Sequence, residues 1–294
     1  MKFTTAAIAT AAASLPLASA FHKGFNIAAE RPDGSCKTQA DWAYNFKIMK
    51  SLPGNFKDVR VYASSDCNTL ANAVPAAIAA DVQLLVGVWT QDAAHYTAEK
   101  EALKAAIDAH GVSWISAVSV GSEDLYRGEA TPEEMAQHVY DVRGMISQKQ
   151  YGGDGIWVGH VDTYEMWNAT SSALIEAVDF VGMDAYPFWQ GVTAENGGKT
   201  FQEAIDATQG FIKQYNPDAH LWITETGWPT AGPNFDASTA SVANGKTYWQ
   251  QVMCQIAPDY ATYWYTLRDY YVAPASQAFG VLDENFQPLF DLQC

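Results

Sequence analysis

Short runs rich in Val, Ile, Leu and aromatic side chains recur along the chain at Lys23–Ala28, Asp58–Ala63, Val82–Trp89, Trp114–Gly121, Ile156–Asp162, Val178–Ala185, Leu221–Glu225 and Ala261–Leu267. Each has the length of a strand rather than of a helix, and each is bounded by polar, Gly or Pro residues. Helical patterns separate them. Leu70–Ala80 is alanine-rich, and Thr131-Pro132-Glu133-Glu134 and Thr200-Phe201-Gln202-Glu203 both carry the capping-box spacing, the first with Pro at the first helical position. Strand and helix in alternation predict parallel βαβ units. Eight strands at a repeat of roughly 34 residues match a single (β/α)8 TIM barrel of the α/β class better than a doubly wound sheet. No Gly-x-Gly-x-x-Gly follows the first strand, so no dinucleotide site and no cofactor is expected. In such a barrel the functional residues stand at the C-terminal strand ends.

The first twenty residues change the picture of where the protein works. Lys2, an apolar Ala- and Leu-bearing stretch and the ending Ala18-Ser19-Ala20 form a secretory signal peptide over 1–20. That leaves 21–294 as one catalytic barrel domain, with no low-complexity linker dividing it. No other segment approaches the roughly 20 apolar residues of a membrane span, and the C-terminal residues lack a lipid-anchor tail. A secreted monomer, extracellular or in a cell wall, is expected. With 17 basic against 33 acidic residues the net charge is −16, which opposes nucleic acid and anionic membrane surfaces and fits a neutral partner.

Four cysteines in a secreted chain imply two disulfides, for which three pairings are formally possible. Cys36 and Cys67 follow successive strands and would meet in adjacent loops; Cys254 and Cys294 would then fasten the tail to the last long helix. A zinc site is the rival reading, but there is no Cys-x-x-Cys or His-Glu-x-x-His, so no metal is expected. Asn168-Ala169-Thr170 is an N-glycosylation acceptor pattern.

Two strand ends carry an acid. Val120-Gly121-Ser122-Glu123-Asp124 and Ile223-Thr224-Glu225-Thr226-Gly227-Trp228-Pro229 each close an apolar run with a glutamate. A carboxylate there is costly to bury and useful in a cleft, and two of them make the pair on which most glycosidases run. Glu123 and Asp124 are adjacent and point to opposite sides, so one enters the cleft, and Glu123 is the better candidate.

These segments carry a resemblance. Val118-Ser119-Val120-Gly121-Ser122-Glu123-Asp124-Leu125-Tyr126-Arg127 and Trp222-Ile223-Thr224-Glu225-Thr226-Gly227-Trp228-Pro229-Thr230 resemble glycoside hydrolase family 17, above all its secreted fungal cell-wall members. Val59-Arg60-Val61-Tyr62 and Gly182-Met183-Asp184-Ala185-Tyr186-Pro187 look like two further strand-end motifs of that family. The resemblance implies a retaining enzyme acting on β-1,3-glucan, with acid/base Glu123 after strand 4 and nucleophile Glu225 after strand 7. It also implies that Tyr186 holds the Glu225 carboxylate. The chain departs from the pattern at Ser122, where many members have an Asn that contacts the sugar 2-hydroxyl.

Other strand-end residues are candidate sugar contacts. Asp162 and Asp184 each precede a tyrosine, Tyr164 and Tyr186, by two positions, which places each pair on one strand face. Tyr62, Trp89, Tyr126, Tyr164, Trp189, Trp228 and Trp264 are possible walls for the flat faces of glucose rings. Trp42, Trp114, Trp157 and Trp222 read as core residues. Arg127 would serve a loop carboxylate. Two alternatives remain: a β-1,3-glucanosyltransferase using the same covalent intermediate, and a non-catalytic glucan-binding wall protein, which the presence of both carboxylates disfavours.

Overall fold

The computed structural model describes residues 22–269 and 276–294, so the leader expected over 1–20 lies outside the described residues. All eight apolar runs form strands: β1 (Lys23–Asn26), β2 (Asp58–Val61), β3 (Gln83–Val88), β4 (Ile115–Ser122), β5 (Val158–Thr163), β6 (Phe180–Asp184), β7 (His220–Glu225) and β8 (Ala261–Trp264). Each pairs in parallel with its neighbours in chain order, and β1 pairs with β8, closing the barrel. The expected (β/α)8 TIM barrel is the observed fold.

The helices between them are α1 (Gln39–Ser51), α2 (Thr69–Ala80), α3 (Ala93–His110), α4 (Pro132–Ile146), α5 (Ser172–Ala177), α6 (Ala194–Tyr215) and α7 (Val242–Gln251). Thr131 caps α4 with the reciprocal Thr131/Glu134 bonds that its sequence implies. The second expected helix start is corrected. Thr200 lies inside α6, which begins six residues earlier at Ala194, behind Thr193. Gly197 and Gly198 lie inside α6, where it meets α7. A Cβ on Gly197 would lie 2.7 Å from the Tyr248 ring, and one on Gly198 would lie 2.8 Å from Gln251 Cβ. These glycines permit close helix packing rather than end the helix.

Strands buried on both faces explain the near-continuous apolar runs. One face fills the barrel, with Leu85, Ala117, Phe180, Trp222, Ala261 and Tyr263 forming an apolar cluster of their own. The other face, including Val118, Val120 and Ile223, joins the larger core beneath the helices. Trp42, Trp114 and Trp222 are buried as expected. Trp157 is not: β5 starts one residue later, so its ring stands at the barrel's N-terminal rim, 37% exposed.

Both expected disulfides are present. Cys36–Cys67 ties the loop after β1 to the loop after β2, and Cys254–Cys294 fixes the C-terminus to the helical segment that follows α7.

Candidate active site

Strict alternation would turn Ser122 on β4 and Glu225 on β7 away from the barrel interior. Ser122 shares the parity of the helix-facing Val118 and Val120, and Glu225 that of the helix-facing Ile223. Each strand corrects this with a bulge. Two residues of β4 span one of β5 between Ser119↔Gly159 and Ser122↔Val161, and Thr224 is the extra residue of β7 between Met183↔Ile223 and Asp184↔Glu225. Bulges re-aim side chains, and here they turn Ser122 and Glu225 inward. The β4 bulge depends on Gly121, at φ +75°, where a Cβ would sit 2.3 Å from Asp124 Oδ2. Glu123 itself has φ +58°, a left-handed conformation that costs a non-glycine residue of order 1 kcal/mol or more.

Glu225, 8% exposed, is held at both oxygens. Arg60 Nη1 lies 2.5 Å from Oε1, and the Tyr186 hydroxyl donates to Oε2 at 2.6 Å. Arg60 is fully buried, and its Nη groups also donate to Asn26 Oδ1 at 3.0 Å and Ser122 Oγ at 2.9 Å. Asn26 is anchored in turn by the carbonyls of Thr224 and Tyr263. Burial opposes the Arg60 charge, but the Glu225 and Asp184 carboxylates outweigh it and its pKa is raised. Burial and the adjacent Glu225 push the Tyr186 hydroxyl well above its ordinary value, so it remains a donor.

Glu123 has the opposite environment. Burial and then the Glu225 charge push its carboxyl up to about 7, against the attraction of Arg127. Arg127 Nη1 lies 3.0 Å from Glu123 Oε2, its Nε lies 3.1 Å from Glu129 Oε2, and it also donates to the Ser122 carbonyl. Its guanidinium covers the Trp89 ring at 5.3 Å. Asp124 turns away from the cleft, 3% exposed, and takes the Ser122 N–H and the Thr90 hydroxyl. One of the adjacent acids therefore faces the cleft while the other fastens the bulge.

Both glutamates line one cavity of about 520 Å³ at the C-terminal strand ends, together with Tyr62, Trp89, Ser122, Arg127, Tyr186 and Trp189. The Tyr62 hydroxyl is buried there without a protein partner. The other expected contacts are placed elsewhere. Asp162 is fully buried, accepting from the backbone N–H of Leu125, Tyr126 and Thr163 and contacting His160, so it shapes the loop after Glu123. Asp184 is also buried, accepting from Thr224, with its pKa raised well above the usual carboxylate range by burial and by Glu225. Trp228 and Trp264 are core residues: the Trp228 N–H donates to the Thr239 carbonyl, and Trp264 packs on Trp249. Tyr126 is 60% exposed outside the cavity, and Tyr164 packs against the main core. Asn168 lies in the loop after β5, with its side chain bonded to Thr170 and Glu165.

Arg60 had no assigned role, although a charged residue between Val59 and Val61 inside a barrel strand was the signal for it. Phe279 and Tyr265 also line the cavity. Both lie beyond β8, and nothing in their sequence context marks them.

Among the described residues one His/carboxylate group, Asp66, His95 and Glu99, brings ligand-type atoms within 4.8 Å of one another. The Glu99 oxygens already accept from the backbone N–H of Ser64, Ser65 and Trp89 and from the Ser65 hydroxyl. That carboxylate is committed to holding loops and fits a structural tie better than a metal ligand.

A model of the BtgE/BtgC glycoside hydrolase domain matches residues 24–284. A probable glucan endo-1,3-beta-glucosidase of Aspergillus fumigatus is 35% identical over 319 residues, which cover all of this chain and 70% of that protein. A glucan 1,3-beta-glucosidase of Saccharomyces cerevisiae is 36% identical, with 87% of this chain and 84% of that protein covered. Among solved structures, a glycoside hydrolase family 17 β-1,3-glucanosyltransferase from Rhizomucor miehei superposes with a TM-score of 0.80 at 28% identity, covering 92% of this chain and 98% of that one. An active-site mutant of the Rhizomucor miehei β-1,3-glucanosyltransferase, in complex with laminaritriose, matches at the same TM-score.

Proposed function

The chain belongs to the BtgE/BtgC glycoside hydrolase domain family, and from that premise we propose that it is a retaining enzyme of β-1,3-glucan with Glu225 as nucleophile and Glu123 as acid/base. The observation that carries the assignment is the contrast between two carboxyls on one cavity. Glu225 is paired with Arg60 and Tyr186, while Glu123 is pushed toward its protonated form by burial and by Glu225. Opposed environments of this kind divide acid from nucleophile.

In the first step a Glu225 oxygen bonds to the anomeric carbon as the glycosidic C–O bond breaks, and the Glu123 proton passes to the departing oxygen. In the second, ionised Glu123 takes a proton from a water or a sugar hydroxyl, whose oxygen displaces Glu225. Arg127 favours ionised Glu123 and so assists this second step. Arg60 and Tyr186 fix Glu225 and yield their hold as its charge passes into the new bond. The Ser122 hydroxyl accepts from Arg60, which leaves its own hydrogen for a sugar oxygen.

Because Glu123 delivers its proton only when protonated, kcat/KM should fall as pH rises through about 7. Replacing Arg127 with Ala removes the guanidinium in contact with that carboxyl and should move this alkaline limb upward. A kcat/KM profile on a short β-1,3-gluco-oligosaccharide reads the shift, and an unmoved limb would refute the pairing.

Transglycosylation is the second reading, favoured by the likeness to the Rhizomucor miehei enzyme. Water and a glucan acceptor would then compete for one intermediate. Incubation with reduced linear β-1,3-gluco-oligosaccharides, followed by product mass over time, tests the proposal. Shorter products alone mean hydrolysis, products longer than the substrate mean transfer, and no turnover would defeat the catalytic reading. We place the enzyme outside the cell or in the wall, with 1–20 as its removed leader. Among the described residues no helix is long and apolar enough to cross a membrane.

A further inference from the structure

At the opposite end of the barrel, the N-terminal ends of β5, β6 and β7 border a second cavity of about 410 Å³, within the range of small-ligand sites. Two aromatic rings flank it: Trp157, just before β5, and Tyr140 of α4, which is 49% exposed. The Trp157 ring is stacked on His220, with centroids 4.4 Å apart at 18°, and rests against Trp222 of the barrel interior at 5.9 Å. Those contacts fix the indole as a rigid exposed plane.

The floor between the rings is equally fixed. Arg143 donates to Asp179 at 3.0 Å and to the Ala177 carbonyl, and Asp179 also accepts the Val158 N–H. At the rim, the Glu176 and Asp218 carboxylates are exposed. A fixed indole plane, facing a half-exposed Tyr140 ring that carries the Arg143 guanidinium 5.9 Å from its centroid and bordered by hydroxyl-accepting carboxylates, suits a sugar, whose C–H face covers a ring while its hydroxyls donate at the edge. An anionic ligand is disfavoured, since Arg143 is already paired and the chain carries net charge −16.

We infer that this cavity is a second, non-catalytic binding site for a β-1,3-glucan chain. The inference rests on the substrate class proposed above and adds a place where the polymer is held without being cut. β5 and β7 each have six residues, so at about 3.3 Å per residue the two cavities lie roughly 20 Å apart. A chain seated at Trp157 therefore cannot offer the same glycosidic bond to Glu123. Instead it keeps the enzyme on the polymer and raises the local concentration of cleavable chain at the other end.

The test separates polymer binding from catalysis. In a Glu225→Gln background, adding Trp157→Ala and Tyr140→Ala together should lower affinity for insoluble β-1,3-glucan about tenfold in a sedimentation assay. The same pair in the active enzyme should leave kcat and KM on a soluble short oligosaccharide within about twofold. Unchanged affinity for the insoluble polymer would overturn the inference, and so would an equal loss on the soluble substrate, which would mean a damaged barrel. Tyr140→Ala alone leaves the Trp157–His220 stack intact and should cost about threefold on the polymer, which keeps the test open if the double variant is unstable. Failure of the parent enzyme to cleave soluble β-1,3-oligosaccharide would count against the proposed function, while the sedimentation assay still reads the second site.

Discussion

Glu225→Gln should reduce turnover of β-1,3-gluco-oligosaccharides by about four orders of magnitude or more, because the covalent step then has no nucleophile. The substitution keeps the shape and a hydrogen-bonding group for Tyr186 but removes the charge opposite Arg60. A fully buried guanidinium left without its carboxylate is costly, so the variant should also lose about 3 kcal/mol of stability. Activity must therefore be compared well below the variant's Tm, with folding checked by circular dichroism. Glu225→Ala supplied with azide and an activated glucosyl fluoride should recover turnover and yield the α-glucosyl azide, since azide would enter from the face Glu225 occupied. Turnover near that of the parent enzyme in Glu225→Gln would remove Glu225 from the chemistry.

Glu123→Ala should lower kcat/KM on natural oligosaccharide by about a thousandfold, the scale of a lost general acid. The loss should depend on the leaving group. An aryl glucoside whose phenolate departs without a proton should react nearly as well in the first step and then stall at the glucosyl-enzyme, because no base remains to activate water. Azide needs no such base, so it should accelerate release and give the β-glucosyl azide. The opposite azide configurations expected of the two variants separate the roles of the two residues. Removing Glu123 should have little effect on stability, since it is part-exposed and its partner Arg127 retains Glu129 and the Ser122 carbonyl.

The barrel was legible because strands buried on both faces leave apolar runs that helical periodicity cannot imitate, and all eight runs became strands. The Cys36–Cys67 disulfide followed from loops that such a barrel places side by side, and Cys254–Cys294 from pairing what remained, tail to last helix. The catalytic candidates were legible as acids at strand tips, and the choice of Glu123 over Asp124 followed from alternation, but the orientation of Glu225 did not. Parity alone points Glu225 at the helices, and only the bulge at Thr224 brings it inward. Trp264, at the end of β8, and Trp228, three residues past β7, are both buried in the core, because which side a strand-end aromatic faces turns on the local path of the backbone rather than on its residue type. Asp162 and Asp184 are placed away from the cleft for a related reason: both are buried, Asp162 accepting from the Leu125, Tyr126 and Thr163 N–H groups and Asp184 from Thr224 through Oδ1, beside the loop and strand end from which the glutamates project. The start of β5 one residue past Trp157 put that ring at the rim rather than in the core.

With Glu225 and Glu123 acting in turn at one anomeric carbon, the configuration of the first product is decided by the number of displacements. Proton NMR of a β-1,3-gluco-oligosaccharide, recorded as the enzyme acts and before mutarotation, should show the new reducing end appearing as the β anomer, the outcome of two inversions. Appearance of the α anomer first would mean a single displacement by water and would contradict the covalent role of Glu225.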